Sequence, residues 1–130
     1  MKLSLAKLIK PVYAHCDLPC GVYDPAQATI EAKSVMAILD KYEGLDDTGK
    51  LRAVIIKEER AELVKHHLMV LWADYFKPEH LETYPDLHTK FWNAIKLASQ
   101  CKHQLDPSNG QKLLEAIDEI SEIFWETKKT

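Results

Sequence analysis

Apolar residues recur along most of this chain at intervals of three and four, the spacing of one face of an α-helix. Ala28, Ala32, Val35, Leu39 and Tyr42 form the first such stripe. Asp24-Pro25 precedes it with a capping acceptor and a proline suited to the first turn, and Gly44 supplies a stop. After a loop through Asp46-Asp47-Thr48-Gly49, a long second helix is predicted from about Lys50 to Tyr75. Its inward stripe reads Ile56, Arg60, Leu63, His67 and Val70. Lys77-Pro78 and Tyr84-Pro85 break the pattern, and Pro85 opens a third helix with Leu87, Phe91, Ala94, Ile95, Ala98 and Cys101 on one face. Asp106-Pro107 caps a fourth, with Leu113, Ile117, Ile120 and Phe124 in step. Four amphipathic helices with short connections predict an all-α, four-helix bundle over residues 24–130.

Composition agrees with this. The chain has 130 residues, enough for one ordinary core, and only four glycines. No apolar run reaches the roughly 20 residues of a membrane span, and no basic patch interleaved with aromatics points to nucleic acid. The net charge of −3 is unevenly spread. Residues 1–14 hold Lys2, Lys7 and Lys10 and no acid, so the rest of the chain carries about −6. Those fourteen residues, MKLSLAKLIKPVYA, have a basic start and small residues near Ala14, but Lys7 and Lys10 interrupt the apolar stretch of roughly 7–15 residues that a secretory signal needs. They read as a frayed amphipathic N-terminus or as a short propeptide.

The chemistry is concentrated in the arm that precedes the first helix, residues 15–23. His15-Cys16-Asp17-Leu18-Pro19-Cys20 places an imidazole and two thiols within six residues. A zinc finger would need a second ligand pair, and thioredoxin-type sites leave two residues between their cysteines rather than three. Leu18-Pro19 can turn the chain sharply, by a cis bond among other routes. Cleavage after Ala14 would give His15 a free α-amine. That amine, the Cys16 amide nitrogen and two thiolates would make a planar four-donor set, suited to divalent nickel or copper, with the His15 ring free to approach axially. An ordinary thiol pair and a reversible disulfide remain the competing readings of these residues. A carrier for nickel or copper, without turnover, is the competing function.

The segment HCDLPCGVYDPAQATIEA resembles the N-terminal hook of the nickel-containing superoxide dismutases, and the similarity continues through VIIKEERAELVKHH, VLWADYFKPEH and IFWETKK. The resemblance implies a leader over 1–14 that a peptidase removes, and a mature domain over 15–130. It implies one nickel ion per subunit, a homohexamer and a cytoplasmic location. The activity implied is conversion of superoxide to dioxygen and hydrogen peroxide. It assigns His15, Cys16 and Cys20 as metal ligands, with Leu18-Pro19 as a cis bond. Glu31 and Arg60 would orient the His15 ring. Asp17 and Tyr23 would line the substrate approach, with Tyr75 and Lys77 nearby. Thr29, where relatives usually carry arginine, and a loop around Gly44–Lys50 that looks one residue shorter are departures that do not touch the hook. Other conspicuous residues are expected to be structural. His66 and His67 diverge by about 100° on a helix and cannot easily share an ion. Cys101 is expected in the core, and Trp72, Trp92 and Trp125 in the core or at subunit contacts.

Overall fold

A computed structural model describes residues 21–129. Helix α1 spans Ala26–Lys41 and ends in a 3₁₀ turn, Tyr42–Gly44; α2 spans Asp47–Val70 and continues through a π-helical segment, Leu71–Tyr75. A short α3, Pro78–Thr83, leads to α4, Leu87–His103, and α5, Pro107–Lys129. The four long helices pack in a closed cycle, α1 on α2, α2 on α4, α4 on α5 and α5 back on α1. The predicted bundle is therefore present. The fifth helix arises because the connection between the two proline pairs folds into six residues of its own.

The caps follow the sequence. Asp24 Oδ1 accepts from Ala26 N at 2.8 Å, and Asp106 Oδ1 from Ser108 N at 2.9 Å. Asp46 Oδ1 accepts from Gly49 N at 2.7 Å, satisfying one of the orphan donors at the start of α2. That cap starts α2 at Asp47, three residues before the predicted Lys50, because a glycine in a first turn is tolerated once an aspartate precedes it.

The stripes of α1, α4 and α5 are buried as predicted: Ala28, Ala32, Val35 and Leu39, then Leu87, Phe91, Ala94, Ala98 and Cys101, then Leu113, Ile117, Ile120 and Phe124. Tyr42 and Ile95 are only partly covered. In α2 the expected stripe is displaced by about one residue. Ala53, Lys57, Ala61, Val64 and Leu68 face the core, while Ile56 is 40% exposed and Arg60, Leu63, His67 and Val70 lie at its edge. The larger apolar residues drew the prediction away from a seam made of two alanines and a lysine.

That lysine is buried for a reason. Lys57 Nζ donates to the backbone carbonyls of Cys101 and Lys102, the latter at 2.7 Å, in the last turn of α4. Carbonyls there have no partner within the helix, and a cation complements the negative end of its dipole. Burial pulls the Lys57 pKa below the ordinary lysine value, opposed by the charges of Glu58 and Cys101. The Cys101 thiol beside it is pushed up to about 11 by burial, as suits a core thiol. Lys57→Met removes the donor and strands two carbonyls in the core. A loss of about 1–3 kcal/mol in unfolding free energy is expected, read by chemical denaturation, with helical content unchanged.

Candidate functional site

The sequence places the candidate metal ligands ahead of α1. His15, Cys16, Asp17, Cys20 and the Leu18-Pro19 bond fall outside the described residues. The description begins at Gly21, whose φ of +66° is left-handed backbone that favours glycine. It turns the chain between Cys20 and α1. Among the described residues no group of three or more His, Cys, Asp or Glu could hold a metal ion. His66 and His67 meet edge to face, with ring centroids 5.3 Å apart.

Glu31 stands in the second turn of α1, beside the buried Ala28, Ala32 and Val35. Packing of α1 on α2 sets it against Arg60. Arg60 Nη1 lies 3.1 Å from Glu31 Oε2 and 3.3 Å from Oε1, and Nη2 donates to Glu59 Oε1 at 2.5 Å. Glu31 is the more enclosed partner, with 15% of its side chain exposed against 31% for Arg60 and 60% for Glu59. The hydrogen bond donated to Glu59 and then the charge of Glu31 raise the Arg60 pKa further, so the guanidinium is permanently charged. Two predicted site residues, 29 positions apart in sequence, are thus joined.

Tyr23, half-buried just before α1, packs against Tyr75 with ring centroids 5.5 Å apart. Tyr75 closes the π-helical segment, a local widening of the helix that is often found at functional sites. Its ring lies 4.4 Å from that of Phe124 and 5.0 Å from that of Phe76. The Tyr75 hydroxyl is 2.7 Å from Thr127 Oγ1. Because the Thr127 hydroxyl itself donates to the Phe124 carbonyl at 2.6 Å, Tyr75 is the donor to Thr127.

Lys77 is exposed; its backbone N–H donates to His80 Nδ1 at 3.1 Å, and the His80 ring stacks on Tyr75 at 5.9 Å. A second cation, unpredicted, stands over this ring cluster: Lys128 Nζ lies 4.9 Å from the Tyr75 ring centroid and 5.3 Å from that of Phe124. Nothing in a terminal Thr-Lys-Lys distinguishes it before the helices are packed. The three tryptophans are not core residues: Trp72, Trp92 and Trp125 are 39%, 62% and 47% exposed. Trp72 instead donates to His88 Nδ1 at 2.7 Å on the surface.

Among the described residues the helical bundle thus joins Glu31 to Arg60 across two helices and packs Tyr23, just before α1, on Tyr75. The sequence profile of the nickel-containing superoxide dismutases matches residues 10–128. The superoxide dismutase [Ni] of Streptomyces seoulensis is 59% identical over 129 residues, covering 96% of this chain and 98% of that protein. Its counterpart in Streptomyces coelicolor is 57% identical over the same length and coverage. A native nickel superoxide dismutase crystal structure superposes with a TM-score of 0.86 at 57% identity, covering 89% of this chain and 100% of the solved one. The chain belongs to the nickel-containing superoxide dismutase family.

The Tyr75–Thr127 bond yields a separable test. Tyr75→Phe keeps the ring packing and removes one partly buried hydrogen bond, with an expected cost of about 0.5–1.5 kcal/mol, measured by denaturant unfolding.

Proposed function

We propose that this chain is the precursor of a superoxide dismutase, activated when residues 1–14 are removed and His15 becomes the N-terminus. The observation that carries this reading is a family match that runs through both the hook donors and the Glu31–Arg60 pair. The donor set fits nickel: the His15 amine and imidazole, the Cys16 amide nitrogen and thiolate, and the Cys20 thiolate combine nitrogen donors of tetragonal habit with anionic sulfur. Bound there, nickel would supply a one-electron redox centre for converting two superoxide ions and two protons to dioxygen and hydrogen peroxide.

The chain's own residues do the rest. Arg60, fixed by Glu31 and Glu59, presents a rigid charged donor from which the His15 ring takes its orientation. Tyr23, backed by Tyr75, and Asp17 line the approach to the hook. The tyrosine ring is immobilised by packing, so its hydroxyl can hold a water or a proton without side-chain reordering. The trimmed chain is acidic and its substrate anionic, so attraction must be local. Lys77 and Arg60 serve that role, one cation close to each half of the site.

Solved relatives support the processing step. Variants of them are described with substitutions at a first-position histidine, a third-position aspartate and a ninth-position tyrosine. His15, Asp17 and Tyr23 have that same mutual spacing, which supports the reading of His15 as the first residue of the mature protein. Relatives described as apo match 85% of this chain, against 89% for the native form, each over 100% of the solved chain. The shorter metal-free chains support a hook ordered by its metal. Solved forms with nickel ligation described as oxidised and as partly reduced support redox cycling. Exposed Leu51, Ile55 and Trp92 favour assembly, a homohexamer by the resemblance. A maturation peptidase and a cytoplasmic location complete the reading.

Two chains, one starting at Met1 and one at His15, test it. The trimmed chain is expected to bind about one nickel per subunit and to consume superoxide, and the full chain to be inactive. Equal activity would refute the amine-ligand argument, while a nickel-loaded trimmed chain without turnover would identify a carrier. Glu31→Gln leaves the fold intact but frees one side of Arg60, and a loss of about 10–100-fold in nickel affinity or activity is expected, read by metal titration and superoxide decay.

A further inference from the structure

Between the start of α1 and the far half of α5 lies an open groove of about 400 Å³, bordered by Asp24, Ile30, Lys33, Asp118, Ser121 and Trp125. Its apolar wall is solvent-facing, Ile30 being 61% and Trp125 47% exposed. Its acids exceed its one lysine. Asp118 has no ion pair among the described residues, and Glu122, one turn further along the same face of α5, has none either.

The chain carries a segment of matching chemistry next to this groove. Residues 1–14 have three lysines and no acid, and Leu5, Leu8, Ile9 and Val12 recur at helical spacing. Lys7 and Lys10 are three apart, and Asp118 and Glu122 four apart, so both pairs are spaced as neighbours on a helix surface. The six residues 15–20 that connect this segment to Gly21 span at most about 20 Å, and the groove begins at Asp24 itself. Such a tether gives an effective concentration on the order of millimolar, so even weak contacts are filled.

We propose that the leader, residues 1–14, docks in this groove of its own bundle, its apolar side against Ile30 and Trp125 and its lysines on Asp118 and Glu122. The groove is thereby an intramolecular binding site for the leader, used before trimming and vacated by it. The inference rests on the proposed processing at His15 for its biological meaning, but not for its chemistry, which involves neither nickel nor superoxide.

The test therefore uses metal-free protein. The full chain, dilute enough to prevent contact between copies, is treated with a carbodiimide, which condenses a lysine amine with a touching carboxylate as water is lost. Mass mapping is expected to find Lys7 or Lys10 joined to Asp118 or Glu122, and these links to disappear in high salt. Fluorine NMR on fluorotryptophan-labelled protein provides a second readout. The Trp125 resonance, assigned with Trp125→Phe, should differ between the full chain and the chain starting at His15, while those of Trp72 and Trp92 coincide. Asp118→Lys with Glu122→Lys should move Trp125 in the full chain towards its trimmed position. Links scattered over the acids of the bundle, or a Trp125 resonance indifferent to the leader, would overturn the proposal. So would a Trp125 shift that depends on protein concentration in the trimmed chain alone, which would give the groove to a second copy. Failure of the superoxide reading leaves these readouts untouched.

Discussion

How closely α1 lies against its neighbours is the constraint on which the site depends. Ala28 and Ala32 present almost no side chain to the core, and Ala61 on α2 is equally small. On the α5 side, a Cβ added at Gly110 would sit 2.8 Å from Met36 Sδ and 3.3 Å from Met36 Cα. Small residues on each contacting helix let the backbones approach, and close packing then leaves little freedom of translation. Glu31 reaches Arg60, and Tyr23 reaches Tyr75, only because α1 is seated at that depth. The clamp and the tyrosine pair are consequences of the alanine seam rather than independent features.

Two cations on α2, three residues apart, show how position decides what a charge does. Lys57 points into the bundle and serves as a substitute hydrogen-bond donor for the frayed end of α4. Arg60 emerges at the edge and is held by carboxylates from two directions. The first works through desolvated contacts with backbone, and its worth is structural. The second keeps part of its surface in water, where it can meet another group. A planar guanidinium suits this role because it serves two acids and still has donors to spare.

Much of this was legible in the sequence. The stripes of α1, α4 and α5 were plain because large apolar residues mark their buried faces. The Glu31–Arg60 pairing came from resemblance, since a glutamate on an exposed-looking helix turn carries no local signal. The register of α2 was misread by one position, because the first half of its core-facing stripe is two alanines and a lysine whose burial depends on carbonyls 44 and 45 residues away. Lys128 was missed for the same kind of reason: its position over Tyr75 exists only once α5 has returned beside the π-helical segment. The tryptophans were expected in the core or at subunit contacts; their exposure excludes the core, and Trp72 pairs with His88 at the surface.

The last turn of α5 has a practical meaning for anyone handling this molecule. Thr127 and Lys128 are not a tail but the back wall of the tyrosine cluster. A purification handle fused directly to the end of α5 would therefore press on those rings. The turn at Gly44 is the better place for a label, since it is exposed and a side chain there would meet nothing within 4 Å. The end of α5, usually a first place to attach something, is here a place to leave alone.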